Sequence, residues 1–263
     1  MDSCGKTEKH EEVSEYYGAT LETSEDLKTN ACCTVTCYPP QIQTALGLIH
    51  PEVLEKYYGC GLTIPGQLEG QRVLDLGSGS GRDCFIASYL VGEQGSVVGV
   101  DMTDEQLEVA SRHVGYHAEK FGYAQPNVSF KRGLIEKLDE VGLEDRSFDV
   151  VISNCVINLC PDKPAALREV FRVLEHGGQF YFSDVYSDLP VPEHLVKDPV
   201  LYGECLSGAL AEDEFIRLAV AAGFASPEEI ERSPITIEND AVKEKTGDLT
   251  FHSITYRVLK PAA

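Results

Sequence analysis

Residues 72–83 read R-V-L-D-L-G-S-G-S-G-R-D, and no other stretch limits the possible folds of this chain as tightly. The apolar run at 73–76 fits a buried parallel strand. It stops at three alternating glycines, Gly77, Gly79 and Gly81, and a helix-compatible run at 84–90 follows at once. Strand, glycine loop and helix in that order bring bare backbone N–H groups and a helix N-terminus against a ligand. The remaining residues are then asked what that loop holds and what is presented to it.

Four more strand patterns follow, at 97–100, 128–130, 148–153 and 179–183. The first of these runs into Asp101, and the third into Asn154-Cys155. Helical patterns lie between them, at 104–121 and 163–174. Strands alternating with helices predict a parallel sheet covered on both faces. After Asp184 the alternation breaks. Residues 186–208 read as an excursion over one end of the sheet, 212–222 as an amphipathic helix, and 230–238 and 249–259 as two closing strands. Ahead of the sheet, 1–15 reads as a mobile polar tail, 13–27 as a helix, 29–40 as a loop, and 41–47 and 50–58 as short helices. The expected division is a tail at 1–15, a binding domain with its N-terminal extension at 16–185, and the excursion plus closing strands of the same sheet at 186–263.

The charge narrows the partners. With 22 basic and 43 acidic residues the formal charge is −21, which argues against nonspecific binding to nucleic acid or to an anionic membrane surface. No apolar run approaches the ~18 residues of a membrane span, and the first thirty residues carry no signal-peptide pattern. A cytoplasmic monomer is the expectation. Nine cysteines, an odd number without a secretion signal, argue against a disulfide framework. None has C-x-x-C spacing, which argues against a zinc ribbon. Soft-ligand chemistry, thiol redox chemistry or burial as small hydrophobes remain, and burial is the default for each one alone.

The loop spells G-x-G-x-G rather than the dinucleotide fingerprint G-x-G-x-x-G. Asp101, at the end of the second strand, stands where a carboxylate accepts both hydroxyls of a ribose, which serves NAD or S-adenosylmethionine equally. Three features resemble the class I methyltransferases: the V-L-D-L-G-S-G-S-G-R loop, the R-S-F-D-V-V-I-S-N stretch with the later R-V-L-E-H-G-G-Q-F-Y-F-S-D, and the two strands after the fifth. That resemblance implies a Rossmann-like seven-stranded sheet, mostly parallel with one antiparallel strand, binding S-adenosylmethionine. It implies that Gly77, Ser78 and Gly79 approach the methionyl part and ribose, with Asp75 beside them in the motif. It also implies Asp101 on the ribose diol, Met102 on the adenine face, Ile135 and Glu136 at the adenine edge, and Asn154 near the sulfonium.

The acceptor side is where the cysteines fall. Cys155 ends the fourth strand, Cys205 lies in the excursion, and Cys32 and Cys60 precede the sheet in segments able to fold over the cofactor. The stretches T-N-A-C-C-T, K-Y-Y-G-C-G-L, S-N-C-V-I-N-L, Y-F-S-D-V-Y-S-D-L-P and L-Y-G-E-C-L-S-G-A-L resemble the arsenite S-adenosylmethionine methyltransferases, and the likeness runs from about Tyr16 to Lys260. It implies methyl transfer to trivalent arsenic, as arsenite and methylarsenite delivered as thiol conjugates. It implies catalytic roles for Cys32, Cys60, Cys155 and Cys205, with arsenic at Cys60, Cys155 and Cys205, and Tyr58 over the cofactor. Cys155 and Cys205 would keep the methylated arsenical. Cys32 and Cys60 would form a disulfide on reducing the pentavalent product, restored by thioredoxin or glutathione. Soft trivalent arsenic prefers thiolates and has no proton to lose, so no general base is required.

Three other readings stay distinguishable. A methyltransferase for another small molecule would consume S-adenosylmethionine without arsenite. A non-catalytic metalloid-binding protein would hold arsenite without methylating it. An NAD-dependent dehydrogenase would fail to bind S-adenosylmethionine.

Overall fold

The computed structural model describes residues 3–20, 38–59, 61–196, 198, 201–202, 205–237 and 239–263. Cys32 and Cys60, with Cys33, Cys37 and Glu204, lie outside the described residues.

The apolar runs form the expected sheet. Strands β1 (Arg72–Leu76), β2 (Ser96–Asp101), β3 (Val128–Arg132), β4 (Phe148–Asn154) and β5 (Leu174–Ser187) are parallel, in the order 3-2-1-4-5. A two-residue strand, β6 (Leu210–Ala211), pairs with β5 off the main path. The closing strands are β7 (Glu228–Pro234) and β8 (Phe251–Leu259). β8 lies between β5 and β7 and is antiparallel to both, so it is the single reversed strand of a seven-strand path.

Both sheet faces are buried, which is why the central strands read as unbroken apolar runs. Side chains alternate across the sheet. Leu74, Leu76, Val151, Phe180 and Phe182 join a core with helix α7 (Lys163–Val173) and helix α9 (Glu212–Ala221). Val73, Val97, Val150 and Ile152 join another, against helix α4 (Arg82–Val91) and helix α2 (Pro40–Leu46). Helices α3 (Pro51–Glu55), α8 (Glu193–Val196) and α10 (Asp240–Thr246) complete the periphery.

Three expectations are corrected. Residues 3–15 are not a loose tail but helix α1 (Ser3–Glu15), and the π-helical turn Tyr16–Thr20 continues it. Tertiary contacts outweigh its polar composition: Val13 is buried in a cluster with Cys155, Leu159 and Cys205, and the His10 ring meets Glu136 at 2.7 Å. The helix expected at 104–121 is two, α5 (Asp104–Arg112) and α6 (Val114–Phe121), parted at His113 with φ −98° and ψ 3°. There the His113 ring stacks on His50 at 3.8 Å and its Nε2 reaches Glu52 at 2.6 Å. Strand β5 also extends past both expected ends: Leu174 pairs with Phe148 of β4 at one end, and β8 pairs with it as far as Ser187 at the other.

The turn at His113 lets α6 lay His117 on Phe85, with ring centroids 3.6 Å apart. His117 is fully buried, and burial pushes its pKa down to about 4, helped by the nearby His113 and His50. A histidine held neutral in the fold must be protonated more readily when unfolded. Its contribution is therefore complete above the ordinary histidine pKa of about 6.5 and is lost as pH falls toward about 4. Thermal unfolding followed by circular dichroism should show Tm falling across that window, and His117→Gln should flatten the fall while lowering Tm throughout.

Candidate functional site

The strand order reverses between β1 and β4: β1 has β2 on one side and β4 on the other. Helices leaving neighbouring strands to opposite faces open a crevice at the carboxyl ends, where ligands of such sheets bind. The register brings the tips level. Leu76 pairs with Val100 and with Ser153, so Gly77, Asp101 and Asn154 emerge along one edge. A cavity lies above them, and all three residues line it.

The glycine loop is shaped by steric need at one position above all. Gly77 has φ +69°, and a Cβ there would come within 2.3 Å of the Val156 side chain. Gly77 N–H and Ser78 N–H donate to the Val100 carbonyl, fixing the turn to the neighbouring strand. Asp101 accepts the Gly79 N–H on Oδ2 and the Thr103 N–H on Oδ1, both at 2.8 Å. The Thr103 side chain and the Met102 N–H also act on this carboxylate. Burial pushes the Asp101 pKa up against the pull of those N–H groups. Asp75, buried beneath the loop, is raised to about 8, first by burial and then by the Asp83 charge.

Asn154 is the node of the β4 tip. Its Nδ2 lies 2.7 Å from the Tyr57 hydroxyl, 2.9 Å from the Gly61 carbonyl and 2.9 Å from Asp83 Oδ2, and its Oδ1 accepts the Gly61 N–H at 3.2 Å. The Arg82 guanidinium covers the Tyr57 ring at 3.4 Å. The residues flanking Cys60 are thus tied to the strand that carries Cys155.

On the far side, Glu136 lines the cavity with its carboxylate against His10. Burial alone would raise its pKa, but the His10 hydrogen bond, with backbone and Cys160 contacts, carries it below the usual range. Tyr17 packs edge-on to Tyr58 at 5.5 Å, and its carbonyl accepts Gln106 Nε2. Helix α1 therefore forms one wall of the cavity.

Cys155 follows Asn154 with φ +57°, and Cys205 has φ +61°. Only Arg146 shares this left-handed conformation among the described non-glycine residues. Such a conformation costs of order 1–3 kcal/mol at a residue with a Cβ and is kept where the surroundings impose it. The imposing contacts are visible: Cys155 N–H donates to Ser183 O at 2.9 Å, Cys205 N–H donates to Tyr202 O at 3.0 Å, and Cys205 Sγ lies 3.5 Å from Cys155 O. One Asp184 carboxylate oxygen and the two sulfurs all lie within 4.8 Å of one another, all three residues buried. Asp184 is raised to about 7 by burial, opposed by the N–H groups of Val185 and Asn158 and by the Lys163 charge. Cys84, Cys160 and Cys205 form no disulfide, whereas Cys155 is disulfide-bonded.

The cavity fits a nucleoside bearing an amino-acid arm. Ser78 Oγ and Gln106 Oε1 are buried, line it, and have no partner among the described residues. A model of a methyltransferase domain matches residues 67–223. The arsenite methyltransferase of Aquipseudomonas alcaligenes is 55% identical over 251 residues, covering 95% of this chain and 72% of that protein. The Homo sapiens arsenite methyltransferase is 50% identical over 261 residues, covering 99% and 70%. The chain belongs to the arsenite methyltransferase family. The crystal structure of CrArsM, an arsenic(III) S-adenosylmethionine methyltransferase from Chlamydomonas reinhardtii, superposes with a TM-score of 0.82 at 52% identity, covering 86% of this chain and 75% of that one. The class I methyltransferase fold and its cofactor, S-adenosylmethionine, follow for this family member.

Within it, Tyr58, Asp75, Gly77, Ser78, Gly79, Asp101, Met102, Ile135, Glu136 and Asn154 all line the one cavity, and so does Cys155. Cys205 stands behind Cys155 rather than on that lining. Sequence reasoning missed Tyr57, Asp83, Gln106, Asp184 and the α1 residues His10 and Val13. Asp83 and Asp184 sat inside motifs already singled out. The α1 residues carry no local signal, since only the folded contact to Glu136 and the cysteines reveals them. Cys155 carries a disulfide; the expected Cys32–Cys60 pair lies outside the described residues.

Asn154→Ala should release the segment around Cys60. Hydrogen exchange read by mass spectrometry should show the Gly61 amide exchanging faster by about tenfold or more, with the β1 and β4 amides unchanged; equal protection at Gly61 would refute the tether.

Proposed function

We propose that this chain transfers the methyl group of S-adenosylmethionine to trivalent arsenic held by cysteine thiolates, taking arsenite and methylarsenite and giving methyl- and dimethylarsenicals. One observation carries this reading: two buried cysteines from separate segments, both in left-handed conformation, meet where the cofactor cavity ends. A buried thiol pair alone is ordinary packing. A pair at the strand tip that faces the methyl donor is chemistry for a soft acceptor.

S-adenosylmethionine, when bound, supplies an electrophilic methyl on a sulfonium. In this reading the Gly77–Gly79 backbone takes the methionyl arm and ribose, and the Asp101 carboxylate takes the ribose diol. Met102 covers the adenine face, with Ile135 and Glu136 at its edge. Tyr58 and Asn154 close the sulfonium end. Asp83, Asp101 and Glu136 line the cavity with acidic groups, which favours a cationic cosubstrate. Cys155 and Cys205 fix the arsenic with Cys60 as a further thiolate, and the rate gain comes from proximity and orientation. Cys32 and Cys60 serve the reducing steps, and an external thiol, thioredoxin or glutathione, returns the cysteines to the reduced form. Arsenic arrives as a thiol conjugate, and the enzyme works as a cytoplasmic monomer. The described part of the chain has no helix long and apolar enough to cross a membrane.

The test is incubation with arsenite, S-adenosylmethionine and thiol, with arsenic speciation over time. Methylated arsenicals are expected. Cys155→Ser and Cys205→Ser should each lower their rate by at least about 100-fold, with S-adenosylhomocysteine affinity within about twofold of wild type. Full activity in both variants, or no methylated product from the wild type, overturns the reading. Asp101→Ala should instead weaken cofactor affinity by about tenfold or more in calorimetry.

A further inference from the structure

Away from the cofactor cavity, His50, Glu52 and His113 converge between helix α3 and the turn that parts α5 from α6. None of the three lines the cavity. A ring nitrogen from each histidine and a carboxylate oxygen from Glu52 all lie within 4.8 Å of one another. His113 is buried, and the other two are half-buried. Glu52 Oε2 stands 2.6 Å from His113 Nε2, and its Oε1 accepts Arg112 Nη1 at 2.9 Å. His50 Nδ1 accepts the Glu52 N–H at 3.2 Å.

Two imidazoles and one carboxylate are the donor set of a three-ligand zinc site with an open fourth position. The ligand backbones are fixed to each other by one buried ring. His117 Nε2 accepts the His50 N–H at 3.2 Å, which leaves the hydrogen on Nδ1, and Nδ1 donates to the His113 carbonyl at 2.8 Å. An ion takes the place of the hydrogen between His113 Nε2 and Glu52 Oε2, and the proton goes to solvent. Arg112 keeps Oε1 and orients the carboxylate from outside. The His50 and His113 rings are stacked at 3.8 Å with planes 21° apart. The half-buried His50 ring must therefore turn to aim a nitrogen at the same ion. It exchanges the stack and one long hydrogen bond for a coordinate bond.

We propose that His50, Glu52 and His113 bind a divalent zinc-class cation, which pins α3 to the turn between α5 and α6. The site stands apart from the arsenic reading and needs no part of it. Its place in the fold gives it a consequence. The carbonyls of Val53 and Lys56 accept Ser80 Oγ at 2.9 and 3.2 Å, and Ser80 belongs to the glycine loop. Helix α3 also leads directly into Tyr57 and Tyr58, which line the cofactor cavity. An ion here braces the support of that wall without entering it.

The probe is Zn²⁺ alone, titrated into the full chain labelled with ¹⁵N-histidine. Cysteines elsewhere also take zinc, so the signal read is the imidazole nitrogens, by long-range proton–nitrogen NMR. Two histidines, assigned by His50→Gln and His113→Gln, should shift together and saturate on one curve. Glu52→Gln should weaken that curve by about tenfold or more. In a second measurement, zinc should raise the Tm of the wild type by more than that of His113→Gln, since a ligand held only by the folded state stabilises it. Zinc held by cysteines adds the same to both. Imidazole nitrogens unmoved by zinc, a shift of one ring alone, an unchanged curve in Glu52→Gln, or equal rises in Tm overturns the proposal. The wild-type titration can refute the site by itself, whether or not the variants fold.

Discussion

The reversal of strand order between β1 and β4 is the constraint on which the rest depends. It opens the sheet at one place only, and the register makes three strand tips level there. Gly77, Asp101 and Asn154 therefore face one space although they are far apart in the chain. The loop after β1 can approach that space because Gly77 has no Cβ to meet Val156. Asp101 then secures the loop by accepting the Gly79 N–H. A carboxylate used this way shapes the cradle from within the cavity wall. The same edge carries Cys155, so the position of its sulfur follows from the same strand tips that line the cavity.

The two cysteines are held differently from the cofactor residues. Asp101 and Asn154 end regular strands whose ladders fix them. Cys155 and Cys205 occupy turns, each in a conformation that needs enforcement. Enforcement comes from a compact buried block. Asp184 accepts the N–H groups of Asn158 and Val185, Asn158 Nδ2 donates to Val185 O, and Lys163 caps the Asn158 carbonyl. Gly208 fits under this block because any Cβ would strike Asn158 O at 2.3 Å. Buried polar groups with their partners in place are rigid, and removing one leaves the others unsatisfied. The block therefore acts as the mould in which the two cysteines are set.

How much of this was legible in the sequence follows from the range of the interactions. The strands from β1 to β4 were readable because burial on both faces leaves local apolar runs, and the glycine loop because its turn needs particular residues. The cavity-lining set was readable through resemblance, since it sits at strand ends. The α1 helix was not, because its polar sequence gives no amphipathic signal and its anchors, Glu136 and the Cys155 cluster, are distant in the chain. The break at His113 was hidden for the same reason: its cause is a histidine and a glutamate from the α3 region. Asp184 was visible as a residue and invisible as a partner, since its distance to two sulfurs exists only after β4 and β5 pair.

These two kinds of placement suggest how one fold can change acceptor and keep its donor. Structures sharing only this architecture, such as the YcgJ protein of Bacillus subtilis at 23% identity and a TM-score of 0.57, show that the sheet tolerates wide sequence change. What the sheet fixes is the strand-tip edge, through backbone ladders indifferent to most side chains. Under the proposed reading the acceptor is held one residue past a strand tip and in the excursion between β5 and β6, where a substitution alters no ladder. The cost is local: a left-handed turn at Cys155 and another at Cys205, each stabilised by the block around Asp184. Acceptor chemistry on this scaffold is thus separable from donor binding, because the two are held by different classes of interaction that meet only at Asn154 and Cys155.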